Sequence, residues 1–153
     1  MGGDLASAPK GKAPSFLISA VKDPLDANLD RVQVVKGWVA ADGSAQERIY
    51  DVAWSDGRKP DDAGRLPPVG NTVSLTTGRY ENSIGATELT TVWTDPDFDP
   101  SLRALYYVRV IQIPTPRHTL QDTIALQQPP EAADGHAAVI QERAYSSPIW
   151  YTP

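Results

Sequence analysis

Fourteen prolines are spread through the 153 residues of this chain, close to twice the average share of about 5%. Each one fixes φ and removes a backbone donor, so proline stops helices and is confined to loops, first residues and strand edges. A chain interrupted this often has few stretches free for a long helix. It is expected to build its core from many short strands.

Period-two patterning supports that expectation. The run Ser15-Phe-Leu-Ile-Ser-Ala-Val-Lys22, ended by Asp23-Pro24, predicts a short buried strand. Residues 29–39 and 46–55 predict a hairpin around Asp42-Gly43-Ser44, with glycine supplying a positive φ. A three-residue loop there sets Val32 opposite Trp54, Val34 opposite Val52 and Trp38 opposite Arg48. That register gathers the apolar residues on one face, whereas a two-residue loop mixes the faces. Residues 73–77 and 87–94 predict two more strands, with a turn at 82–85. The strongest strand is 104–113, apolar on both faces and so expected at a sheet centre.

Thr119 to Gln127 is the one good helix candidate, with Thr119 as the cap, Asp122 three residues on, and Pro129-Pro130 as the stop. Residues 128–138 read as a linker, and 139–151 return as an extended segment. The expected fold is all-β: a β-sandwich of about six to eight mostly antiparallel strands with one short helix near the C-terminus. Residues 1–14, rich in glycine and proline, are expected to be a flexible lead-in to a single domain spanning 15–153.

Composition narrows the function classes. With no cysteine, disulfides, thiolate metal sites and a cysteine nucleophile are excluded. A net charge of -5 disfavours nucleic acid, which needs a basic face. No apolar run approaches the ~20 residues of a membrane helix, so no membrane partner is expected. Met1-Gly-Gly-Asp-Leu-Ala6 has neither the basic-then-apolar pattern of a signal peptide nor the hydroxyl residue a myristoylation site wants at Ala6.

Several constellations bear on chemistry. Asp95, Asp97 and Asp99 alternate along an oxygen-rich loop and are the candidate metal ligands, calcium being the cation such loops suit. An EF-hand fails, because Pro100 and Tyr106 stand where glycine and glutamate belong. Aspartates alternating with proline also suit turn capping, and that structural role is the expectation. Asp134-Gly135-His136 has an Asp-x-His spacing but lies in a linker. Two ligands fall short of the three a catalytic metal needs. Ser146-Ser147-Pro148 is not a nucleophile elbow, and His118 and His136 have no predicted orienting partner. No catalytic residue and no cofactor is therefore expected. The aromatic residues, four Trp, six Tyr and two Phe, either fill the core and an interface or form a sugar-binding platform.

Two blocks carry a resemblance. They are Trp93-Thr-Asp-Pro-Asp-Phe-Asp-Pro-Ser-Leu-Arg-Ala-Leu-Tyr-Tyr-Val-Arg-Val110 and Glu142-Arg-Ala-Tyr-Ser-Ser-Pro-Ile-Trp-Tyr-Thr-Pro153. Together with Met1-Gly2-Gly3-Asp4-Leu5 they resemble the C-terminal portion of a large bacterial protein family of unknown function. That family is related to metal-dependent hydrolases of the polymerase-and-histidinol-phosphatase (PHP) type. The resemblance implies a tail without its head: longer parent proteins, often periplasmic or secreted, with the metal ligands in a lobe absent here. None of those ligands can be matched, so no catalytic residue is carried over. The expected role is a non-catalytic, lobe-packing β-sandwich; the alternative is a free-standing module for carbohydrate or another small ligand. The expected partners are the N-terminal hydrolase-like lobe or a second copy in a homo-oligomer, through an interface of Tyr145, Ile149, Trp150 and Tyr151.

Overall fold

The computed structural model describes residues 2–129 and 135–153. They form β1 (Gly3–Ala6), β2 (Ser15–Val21), β3 (Leu29–Val39), β4 (Ala45–Trp54), β5 (Glu88–Thr94), β6 (Ala104–Gln112), β7 (Thr115–Pro116), α1 (His118–Ala125), β8 (Val139–Ile140), β9 (Arg143–Tyr145) and β10 (Ile149–Thr152). The fold is all-β and sandwich-like, with one short helix. The large sheet runs β1-β10-β6-β3-β4, with β9 beside the far half of β6. Every pairing is antiparallel except β1 with β10. A second, two-stranded sheet of β2 and β5 lies over one face of the first.

Side-chain parity builds the core. Even-numbered residues of β3 face the small sheet, and Val32 and Val34 stand opposite Val110 and Val108 of β6. Ile18 and Leu89 come down on them from the small sheet, with Leu29, Tyr106 and Tyr151 closing the cluster. Phe16 sits 5.1 Å from the Tyr106 ring, so β2 lies above β6. On the other side Trp93 of β5 packs 5.0 Å from Tyr50 of β4. The layers therefore meet along both strands of the small sheet, and beyond β2 the large sheet continues past the edge of the small one.

Several expectations need correction. The hairpin loop is three residues long, but its register differs from both sequence-based alternatives. The Ala40 amide donates to the Ser44 carbonyl, enclosing Ala41, Asp42 and Gly43, and Val34 faces Tyr50 rather than Val52. The shift is two residues, so parity survives and the apolar face stays whole. Asp42 decides it: its carboxylate accepts from the Ser44 amide and hydroxyl, placing Ser44 after the turn rather than within it. A bulge at Val32/Gln33 then slips the far half by one, putting Arg31 opposite Trp54.

The 15–22 segment is an edge strand, not a buried one, with Leu17 and Val21 exposed. Residues 73–77 make only a bridge between Ser74 and Arg79. Thr119 does not cap α1; Arg117 holds that position without a side-chain bond, and the buried Thr119 hydroxyl has no hydrogen-bond partner among the described residues. The lead-in is not unstructured throughout, because Gly3–Ala6 pairs with β10 residue by residue. Tyr151, expected on an interface, is 3% exposed and belongs to the core.

Candidate functional site

The three aspartates do not converge. Asp95 follows the last residue of β5 and turns inward, where it pairs with the Lys36 ammonium at 2.5 Å and accepts from the Tyr106 hydroxyl at 2.7 Å. The Lys36 and Asp95 side chains are 5% and 0% exposed. The same ammonium donates to the Asp97 carbonyl and lies over the Trp38 ring. The Asp97 carboxylate points outward, to Arg48 at 2.6 Å and the Tyr50 hydroxyl at 2.8 Å. Asp99 accepts from the Ser101 amide and hydroxyl, and those bonds hold its carboxyl below the usual range. Burial, and then the Asp95 carboxylate, push the Tyr106 phenol well above its ordinary value. Burial and then Asp97 do the same to Tyr50. Each carboxylate is already committed to protein donors, so the loop is built as a clasp between β3, β4 and β6. Among the described residues no three potential ligands gather at a metal-binding distance.

Sequence reasoning missed Lys36. The signal was present: a lysine at an inward, even-numbered position of an apolar strand has to find a buried anion. A second such pair closes the other end of the sandwich. Asp30, fully buried, takes Arg58 at 2.6 Å and Gln141 at 2.9 Å. Gly85 closes in nearby at φ +81, where a Cβ would meet Ile113 at 2.6 Å. His118 and His136 are both exposed, and Asp134 lies outside the described residues.

Two surfaces remain uncommitted. The first is the outer, odd-numbered face of the large sheet. Val35 is buried there yet stands apart from the core cluster. It is flanked by Tyr107 and Ile49. Leu105 lies across Gly37, whose missing side chain leaves the space. Trp150 is 50% and Tyr145 57% exposed, with Val39 and Ile49 exposed at the other margin. Among the described residues no second sheet packs on this face. Of the four expected interface residues, Tyr145 and Trp150 lie here, Ile149 faces inward and Tyr151 is core.

The second surface is a groove of about 1190 Å³ on the open side of the sandwich. All of β2 forms one wall, and Tyr106, Val108, Val110 and Ile149 form the floor. Tyr80 and Gln121 lie at one end, Gly2 and Ser147 at the other.

A two-layer β-module held by buried ion pairs, with one bare aromatic face and one open side, is the class that these features define. The chain belongs to the family described as "Protein of unknown function (DUF3604)", whose model matches residues 1–153. No curated protein and no solved structure matches it.

Proposed function

We propose that this chain is a non-catalytic packing module, which docks the outer face of its large sheet on a second folded lobe. The observation that carries the reading is that face itself. Leu105, Tyr107, Tyr145, Trp150 and Ile49 stand together, beside the polar cluster of Gln33, Asp51 and Arg109, on one side of a sheet whose other side already holds the core. Bare patches of this kind mark interaction sites on folded proteins. Aromatic residues are also the side chains enriched at interfaces. The commitment of Asp95, Asp97 and Asp99 to Lys36, Arg48, Tyr50 and Ser101 supports a structural loop over a metal site. The lobe proposed is the N-terminal PHP-type hydrolase-like one implied by the resemblance of this chain to the C-terminal portion of such a family, in a bacterial protein of greater length.

When the chain is produced alone, a second copy covers the same face, most simply about a two-fold axis. Sedimentation of the chain over a range of concentrations tests this. Self-association is expected, weakened at least tenfold by Tyr145→Ser with Trp150→Ser. A monomer at high concentration would overturn it. The alternative is a carbohydrate-binding platform, on which sugar faces stack on flat rings; Tyr107 and Tyr145 are tilted by 47° to each other and so offer no flat two-ring row, which favours packing. Saturable binding of an oligosaccharide, lost in the same double variant, would favour the alternative.

A further inference from the structure

The open side of the sandwich has a shape of its own. The small sheet has two strands where the large one has five across, so β9 and β10, on the far side of β6, run on past the edge of β2. The floor they expose is apolar, being Val108, Val110 and Ile149. The wall is the free edge of β2. The phase of its ladder shows what that edge offers. The Lys22 amide donates to the Thr87 carbonyl at 3.0 Å, and the Asp95 amide to the Pro14 carbonyl at 3.1 Å. Hydrogen-bonded pairs alternate along an antiparallel ladder. The even-numbered residues of β2 therefore bond β5, while Ser15, Leu17, Ser19 and Val21 turn their amides and carbonyls into the groove. Among the described residues none of the backbone amides or carbonyls of these four residues has a backbone partner.

The length of the free edge sets the length of what can pair with it. The seven residues of β2 span about 23 Å at the rise of an extended strand, which matches a segment of about seven residues. Charge selects little: Lys22 and Arg143 at the rim are offset by Asp23, Asp26 and Glu142. We propose that this groove receives one extended segment of a partner polypeptide, which adds to the free edge of β2 as a further strand and lays alternate apolar side chains on Val108, Val110 and Ile149. Backbone hydrogen bonds then give the affinity, and the floor gives the preference for alternation. A second copy cannot enter edge to edge. Pairing β2 with its own copy about a two-fold axis would drive the overhanging β10 and β1 of both copies into the same layer. This inference rests on the inner side of the sandwich and is independent of the outer face.

The test uses the whole chain and a synthetic peptide of alternating threonine and valine, seven residues long with a lysine added at each end. Amide exchange is followed by NMR. Bound peptide is expected to slow exchange at Leu17 and Ser19 by about tenfold or more, leaving Phe16 and Ile18, already bonded to β5, unchanged. Methylating alternate peptide nitrogens should abolish binding in one phase and be tolerated in the other. Leu17→Pro should weaken binding by about tenfold or more with the unfolding transition unchanged, since proline is tolerated where an edge amide faces outward. Should that variant not fold, Ala144→Arg narrows the groove from the opposite wall and should weaken binding likewise. Absence of binding at millimolar peptide, equal loss from both methylation phases, or protection produced by dimerisation without peptide would each overturn the proposal.

Discussion

At the scale of single residues, the weightiest pair is Lys36 with Asp95. A buried ion pair adds little net stability as a pair, but removing one member leaves a buried charge uncompensated. Lys36→Met is expected to cost about 3–5 kcal/mol, read as a lower denaturation midpoint with an unchanged slope. The surface pair of Arg48 with Asp97, its side chains 58% and 47% exposed, should contribute under about 1 kcal/mol. The phenols give a pH signature. Tyr106 and Tyr50 both have raised pKa values in the folded chain. Their stabilisation is complete below the unfolded value near 10. It is lost as pH rises above that, because the unfolded chain then releases protons that the folded one retains. Stability measured from about pH 9 to 11 should fall, and less steeply in the Tyr50→Phe, Tyr106→Phe double variant.

At the scale of elements, β10 shows how parity divides neighbouring aromatics. Tyr151 packs on Phe98 at 4.9 Å and donates to the Pro100 carbonyl, whereas Trp150 points to the outer face. Tyr151→Ala is expected to cost about 3–5 kcal/mol, as large aromatic truncations in cores do. Trp150→Ala should stay within about 0.5 kcal/mol at concentrations low enough to keep the chain monomeric. Equal losses by chemical denaturation would mean that the outer face is not a surface. The strands were largely legible in the sequence: 29–39 and the 88–94 stretch by period-two patterning, and 104–112 by its apolar residues on both faces. Helix α1 was legible from its proline stop. The cap on Thr119 was not, because a capping pattern describes a tendency, and here the cap falls two residues earlier, on Arg117.

At the scale of the whole molecule, the sandwich is closed on one side and open on the other, and its stability should follow that asymmetry. β3 lies between β4 and β6, and the core packs on it. β1 and β9 each pair with a single strand at the open side. Amide exchange should therefore be slowest in β3 and in the part of β6 facing it, approaching global unfolding. It should be faster in β1 and β9, which can open locally. Uniform exchange across these strands would show that the open side is as cooperative as the core.

By itself the sequence determined the class of fold, because proline frequency and period-two alternation act locally, within a few residues of where they are read. It determined the centre of the large sheet for the same reason: residues 104–112 are apolar on both faces. It also contained the acidic loop, but not its use, since Lys36 and Asp95 are far apart in the chain and meet only when β3 and β5 are brought together. The hairpin register was decided by the Asp42 turn and the bulge at Val32/Gln33, not by the apolar pattern, which any shift of two residues satisfies. Tertiary structure alone decided that Tyr145 and Trp150 face outward, that Tyr151 is core, and that β2 has a free edge. Those are facts about which strands become neighbours. Pairing partners follow from burial of the whole sheet, and no local pattern carries that information.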